Sequence, residues 1–150
     1  VGGTPQSNDP SEYIAYKAAK SLLDVFEAKD APDTRVIFVG NLFTLEYEDG
    51  KTLLELGRVA DDHKNYAMFH GHQLALDAFR ESKRFNWTVA SPPNGLRLKG
   101  RTGNVRFAGT RLLRDPDDKP STISREDFAY AIYEELENAN YVRQQFNVAR

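Results

Sequence analysis

The chain has 150 residues, 40% of them hydrophobic, enough to bury one core of ordinary domain size. Twenty basic against twenty-two acidic side chains leave a net charge of -2 without a basic stripe, which argues against a nucleic-acid partner. The absence of cysteine excludes disulfides, thiolate nucleophiles and cysteine-ligated zinc, and the apolar runs are too short to span a bilayer. With no basic-then-apolar leader visible, the expectation is a soluble cytoplasmic protein without a membrane partner.

The chain opens on Val1-Gly2-Gly3-Thr4-Pro5, which reads as the tail of a buried strand running into a loop. A fold rarely starts there naturally; processing, proteolysis or an omitted upstream segment would each explain it. Asp9-Pro10-Ser11-Glu12 carries helix-start chemistry: a capping Asp, a first-turn Pro and a Glu at the capping-box position. Ile14, Ala18, Leu22 and Phe26, with Ala15, Ala19 and Leu23 beside them, then predict an amphipathic helix to about Lys29. Ala31-Pro32-Asp33 ends it. Arg35–Val39 is a short β-branched run without alternation, stopped by Gly40-Asn41, as expected of a strand covered on both faces.

The polar segment Glu46–Gly50 leads into a possible short helix at Thr52–Val59, and a longer helix carries Tyr66, Phe69, Leu74, Ala75, Ala78 and Phe79. Trp87–Ala90 is a second buried strand, stopped by Ser91-Pro92-Pro93. Leu96–Phe107, with turn chemistry at Asn94-Gly95 and Thr102-Gly103, predicts a small exposed β-ribbon. Ser124-Arg125-Glu126-Asp127 opens a last helix with Phe128, Ala131, Ile132 and Leu136 as its buried stripe. Gln145–Val148 alternates like a final strand. Strands alternating with helices predict a parallel α/β sheet with right-handed crossovers, in one domain over residues 1–150.

Four short motifs in register carry a resemblance. Trp87-Thr88-Val89-Ala90-Ser91-Pro92-Pro93, Arg101-Thr102-Gly103-Asn104-Val105-Arg106, Ile123-Ser124-Arg125-Glu126-Asp127-Phe128-Ala129 and Arg143-Gln144-Gln145-Phe146-Asn147-Val148 are similar, in order and spacing, to segments of the NmrA-like and NADH-flavin-reductase-like branch of the atypical short-chain dehydrogenases. Asp9–Gly40 fits the preceding unit more loosely. The resemblance implies a Rossmann-like NAD(P)-binding fold of which this chain is the C-terminal portion, with Val1–Thr4 corresponding to the fourth strand. The family's glycine-rich loop, which holds the dinucleotide diphosphate at a helix N-terminus, has no counterpart in these residues. Either an upstream half or a protein partner is expected to cover the sheet edge that such a cut would expose.

The resemblance implies that the turns Gly40-Asn41 and Ser91-Pro92-Pro93 line the nicotinamide or flavin side of a pocket, with Gly2, Gly3 and Thr4 as further cofactor-binding candidates; simple termination of the strands by breakers is the alternative. Tyr66 and His70, one helical turn apart on the helix where the family's proton donor belongs, are the candidate catalytic pair. Packing of Tyr66 and solvation of His70 is the alternative. Tyr13 with Lys17 and Tyr16 with Lys20 match the dehydrogenase Tyr-x-x-x-Lys pattern, but on the helix before Arg35–Val39, one crossover too early. His63, His70 and His72 predict no metal site, because residues two apart point to opposite sides of a helix. Arg97, Lys99, Arg101 and Arg106 could meet a phosphate, but Asp115, Asp117 and Asp118 offset them. The function so implied is an NAD(P)-dependent oxidoreductase-like protein reducing flavin or a small quinone-like acceptor. A non-catalytic dinucleotide-sensing regulator or scaffold, working through protein partners, is the alternative.

Overall fold

The computed structural model describes residues 7–29, 33–94, 96–98 and 100–150. Its central sheet has the order β1-β4-β8-β6, from Arg35–Val39 (β1), Asn86–Ser91 (β4), Gln144–Ala149 (β8) and Arg106–Ala108 (β6). β1 lies parallel to β4, with Arg35 opposite Asn86 and Val39 opposite Ala90, and β4 lies parallel to β8. Among the described strands of this sheet β6 alone runs antiparallel, against β8. This is the mainly parallel α/β sheet that the two uninterrupted apolar runs predicted.

Helices cover both faces. The period-two alternation of β4 sends Trp87 and Val89 to one side, where they meet Ala19 and Leu23 of α1 (Ile14–Lys29) and Ala75, Leu76 and Phe79 of α2 (Tyr66–Glu81). Ala90 points the other way, into a second cluster with Phe146 and Val148 of β8 and Phe128 and Ala131 of α3 (Arg125–Asn138). Ser124 caps α3 by accepting the Asp127 N–H at 2.9 Å, as its sequence predicted.

Several expectations are corrected. Asp9 does cap, accepting the Ser11 N–H, but the turn it starts is a separate 3-10 segment, Pro10–Glu12, and α1 begins only at Ile14. Of the predicted stripe of α1, Ala15, Ala19 and Leu23 are buried and Leu22 and Phe26 pack against the same cluster, but Ile14 is 49% exposed and Ala18 is exposed. The same happens in α3, where Leu136 is exposed and Glu135 is buried. No helix forms at Thr52–Val59. Thr52 and Glu55 make the reciprocal capping bonds, but Gly57 at φ +64 ends the turn that they start. Glu46–Glu48 (β2) and Lys51–Thr52 (β3) instead form an antiparallel hairpin across Asp49-Gly50, both at positive φ. The small ribbon therefore sits here and not at Leu96–Phe107. Leu96–Leu98 (β5) pairs in parallel with Ile123–Ser124 (β7), and β6 joins the main sheet.

The loop between β5 and β6 is held down by one carboxylate. Asp127, fully buried, accepts from the backbone N–H groups of Thr102 and Gly103 and from the Thr102 hydroxyl, at 2.8–3.0 Å. Burial alone would raise its pKa, but the donors from Gly103, Thr102 and Ser124 outweigh that and hold it at about 2.

Candidate functional site

The two turns singled out by sequence meet at one end of the parallel pair. Gly40 follows β1 and continues the ladder, its N–H bonding the Ala90 carbonyl at 2.9 Å. A Cβ added at Gly40 would sit 2.4 Å from Ser91 Oγ and 2.9 Å from Val89 Cγ1, so only glycine lets the strand ends come this close. Ser91, Pro92 and Pro93 are buried behind it. Asn41 caps a one-turn 3-10 segment, Leu42–Thr44, by accepting the Phe43 N–H at 3.0 Å.

Three residues complete this end of the sheet that the sequence reading missed. Gln145 of β8 donates through Nε2 to Thr44 Oγ1 at 2.8 Å and to Ser91 Oγ at 3.0 Å. Thr44 in turn donates to the Asn41 carbonyl, at 3.1 Å. Asn147 donates to the Ser91 carbonyl at 2.7 Å and accepts the Leu113 N–H. A buried polar chain thus ties the turn after β1 to the turn after β4 through β8. One signal was present in sequence: two amides and no aliphatic residue at positions 145 and 147, on the face of β8 that adjoins Val89 and Ser91.

Of the remaining candidates, Gly2, Gly3 and Thr4 lie outside the described residues. Tyr66 and His70 are both partly buried on α2 and meet each other, ring centroids 4.1 Å apart. Phe69, between them in sequence, stacks on Phe43 at 3.7 Å and so anchors this part of α2 to the turn after β1. Tyr13 is buried, which raises its phenol pKa, while Lys17 is drawn away to Glu12 at 2.6 Å. Tyr16 is partly buried and Lys20 exposed. Arg101 lies over the Tyr130 ring and Arg106 is bonded to Ser121 and the Arg150 carbonyl, with Asp115 at 3.8 Å. The side chain of Arg97, and Lys99, lie outside the described residues.

The three histidines are separate. His63 Nδ1 accepts the Asn65 N–H, and among the described residues no group of three ligating side chains could hold a metal. His72 is enclosed by Tyr13 and Phe38, with ring centroids at 5.7 and 6.3 Å, and burial depresses its pKa from the ordinary 6.5 to about 4. The unfolded chain therefore binds the extra proton between those values, and stability must fall as pH drops through that window. Melting temperatures are expected to decline by several degrees between pH 7 and pH 4.5, and much less in His72→Phe. Parallel curves for the two proteins would remove His72 as the cause. The Asp127 contribution is lost only below its ordinary 3.8, so the two groups are separable.

No protein-family model matches the chain. Over 140 residues it is 26% identical to the uncharacterised protein YwnB of Bacillus subtilis, a match that covers 91% of this chain and 63% of that protein. The chain thus spans less than two thirds of the curated relative that it matches. Among solved structures, a candidate exported protein of Burkholderia pseudomallei is 28% identical with a TM-score of 0.80, over all of this chain and 69% of its own. A candidate NADH-flavin reductase of Streptococcus pneumoniae superposes with a TM-score of 0.78 at 22% identity, again over 100% and 69%. A candidate epimerase of Bacteroides thetaiotaomicron gives 0.71 at 26%, over 87% of this chain and 60% of that one. The fold is Rossmann-like. Among the described residues no helix is long and apolar enough to cross a membrane.

Proposed function

We propose that the chain forms the substrate side of an NAD(P)-dependent oxidoreductase site, one that reduces flavin or a small quinone-like acceptor in the cytoplasm. The observation that carries this is the meeting of Gly40-Asn41 and Ser91-Pro92-Pro93 at the C-terminal ends of adjacent parallel strands, where open α/β sheets bind ligands. The groups gathered there are polar and uncharged: Asn41, Thr44, Ser91, Gln145 and Asn147. They suit the nicotinamide end of a dinucleotide, whose ring is uncharged once reduced, and not its diphosphate. When bound, the cofactor supplies the hydride; the protein's task is to orient its ring and exclude water.

In this reading Gly2, Gly3 and Thr4 belong to the cofactor-binding set, and Tyr66, with His70 beside it, serves where the acceptor needs a proton. The phosphate loop comes from an upstream segment, or from a partner that also covers β1. Among the described residues β1 pairs on one side only, and Val39 is 45% exposed. The fold shared with the Streptococcus pneumoniae protein supports the reading, as does the family resemblance of the four sequence motifs.

Calorimetric titration with NADPH and NADH, followed by NADPH oxidation with added flavin, tests it. Binding and flavin-dependent oxidation are expected. Binding without turnover would leave a dinucleotide sensor, and no binding by the chain, alone or joined to a segment that carries the phosphate loop, would remove the site.

A further inference from the structure

We infer that Asn41 and Gln145 together recognise a flat amide-like edge on the ligand, one that presents a carbonyl oxygen and an N–H side by side. The inference rests on the dinucleotide reading of this site and adds to it what the pocket selects. Two side-chain atoms at this end of the sheet are buried without a hydrogen-bond partner: Asn41 Nδ2, a donor, and Gln145 Oε1, an acceptor. The two residues are joined by one chain of bonds, from Gln145 Nε2 through the Thr44 hydroxyl to the Asn41 backbone carbonyl.

Neither amide can be turned to escape. Asn41 Oδ1 already accepts the Phe43 N–H, and Gln145 Nε2 donates to Thr44 Oγ1, whose own proton is committed to the Asn41 carbonyl. Rotating either group moves the unpaired atom to the amide's other end. Buried polar atoms in native proteins are nearly always paired. Here two of opposite hydrogen-bonding sense sit in one network, at the strand ends where a ligand is expected. A carbonyl accepting from Asn41 Nδ2, with an adjacent N–H donating to Gln145 Oε1, satisfies both. Two ligands of the proposed reaction carry such an edge: nicotinamide in its carboxamide, and the isoalloxazine ring in its imide. Gln145 is 3% exposed beneath the Thr44 turn, so that turn must shift to admit the edge, and the bonds then form out of water, where they discriminate most strongly.

Two matched pairs of compounds test this. One is NAD against its 3-acetylpyridine analogue, which keeps the carbonyl and loses the N–H. The other is flavin mononucleotide against its N3-methyl derivative. Titrated calorimetrically, the native protein should prefer the N–H-bearing member of at least one pair by about tenfold or more, and the pair that responds names the ligand. Gln145→Glu, which keeps an acceptor, should retain that ratio, and Gln145→Leu should bring it near one. Asn41→Asp keeps the acceptor for Phe43 and replaces the donor, so it should weaken both members of the responding pair equally. It carries the test if Gln145→Leu melts too early to assay. Binding without discrimination in either pair, or discrimination that survives in Gln145→Leu, overturns amide recognition and leaves the dinucleotide site standing. Binding of none of the four compounds takes down both.

Discussion

Replacing Glu135 by alanine is expected to destabilise the chain by about 3–5 kcal/mol, the usual cost of removing one member of a buried ion pair. The Glu135 side chain is 1% exposed and meets Arg35 Nη1 at 3.0 Å, with the Arg35 side chain itself only 14% exposed. The same carboxylate accepts the backbone N–H groups of Asn140 and Tyr141, both at 3.0 Å, and so secures the turn that leads from α3 to β8. Arg35 also donates to the carbonyls of Glu135 and Leu136 at the C-terminal end of α3, where a cation meets the negative pole of the helix. Alanine would leave the guanidinium bonded to carbonyls but without its counter-charge, and would leave the Asn140 and Tyr141 N–H groups without their acceptor. For a domain of this length the melting temperature should fall by roughly 10 °C. Removing both partners, as in Arg35→Met with Glu135→Leu, should cost clearly less than the two single losses added together, because no lone charge remains. A double-mutant cycle by urea unfolding measures this, and a coupling energy near zero would show that the pair does not tie β1 to α3.

Gly40→Ala is expected to be the most damaging small substitution at the strand ends. The new methyl group would overlap Ser91 Oγ and crowd Val89, and Ser91 cannot swing away freely while Gln145 holds it. Overpacking of this kind costs about 1–3 kcal/mol. The strain falls on the junction of the two turns, so ligand affinity at the proposed site should drop more than stability alone accounts for. Ser91→Ala in the same chain removes the worst overlap and leaves a Cβ at 3.6 Å. It should restore part of the melting temperature without restoring the Gln145 tie. Equal melting temperatures for native protein and Gly40→Ala would show that the strand ends yield easily, and the close approach would lose its meaning for the site.

Much of the fold was legible locally. Arg35–Val39 and Trp87–Ala90 have the uniform β-branched and apolar composition that only a doubly covered strand tolerates, and they do lie parallel and adjacent. Ser124 announced α3 because capping is a contact within one turn. The hairpin at 46–52 was legible too, in Asp49-Gly50, but the charged flanks Glu46, Glu48 and Lys51 concealed it. Those strands bury little, and Glu46 instead pairs its backbone with residues 110 and 112.

What the chain could not announce is which of two neighbouring residues a helix buries. Leu136 reads as core and Glu135 as surface on any hydrophobicity pattern. The order is reversed because Arg35, a hundred positions earlier, stands under the end of α3 and can be neutralised only by a carboxylate there. The candidate site divides in the same way. Gly40-Asn41 and Ser91-Pro92-Pro93 follow from strand ends and breakers, which are local chemistry. Gln145 enters only because β8 docks beside β4 and sets it level with Val89, within reach of Ser91. The sequence by itself determined the layers, the strand directions and the end of the sheet where the turns gather, since period and turn chemistry act over a few residues. The tertiary structure alone decided the polar partners, because a buried hydrogen bond depends on what the far side of the sheet brings to meet it.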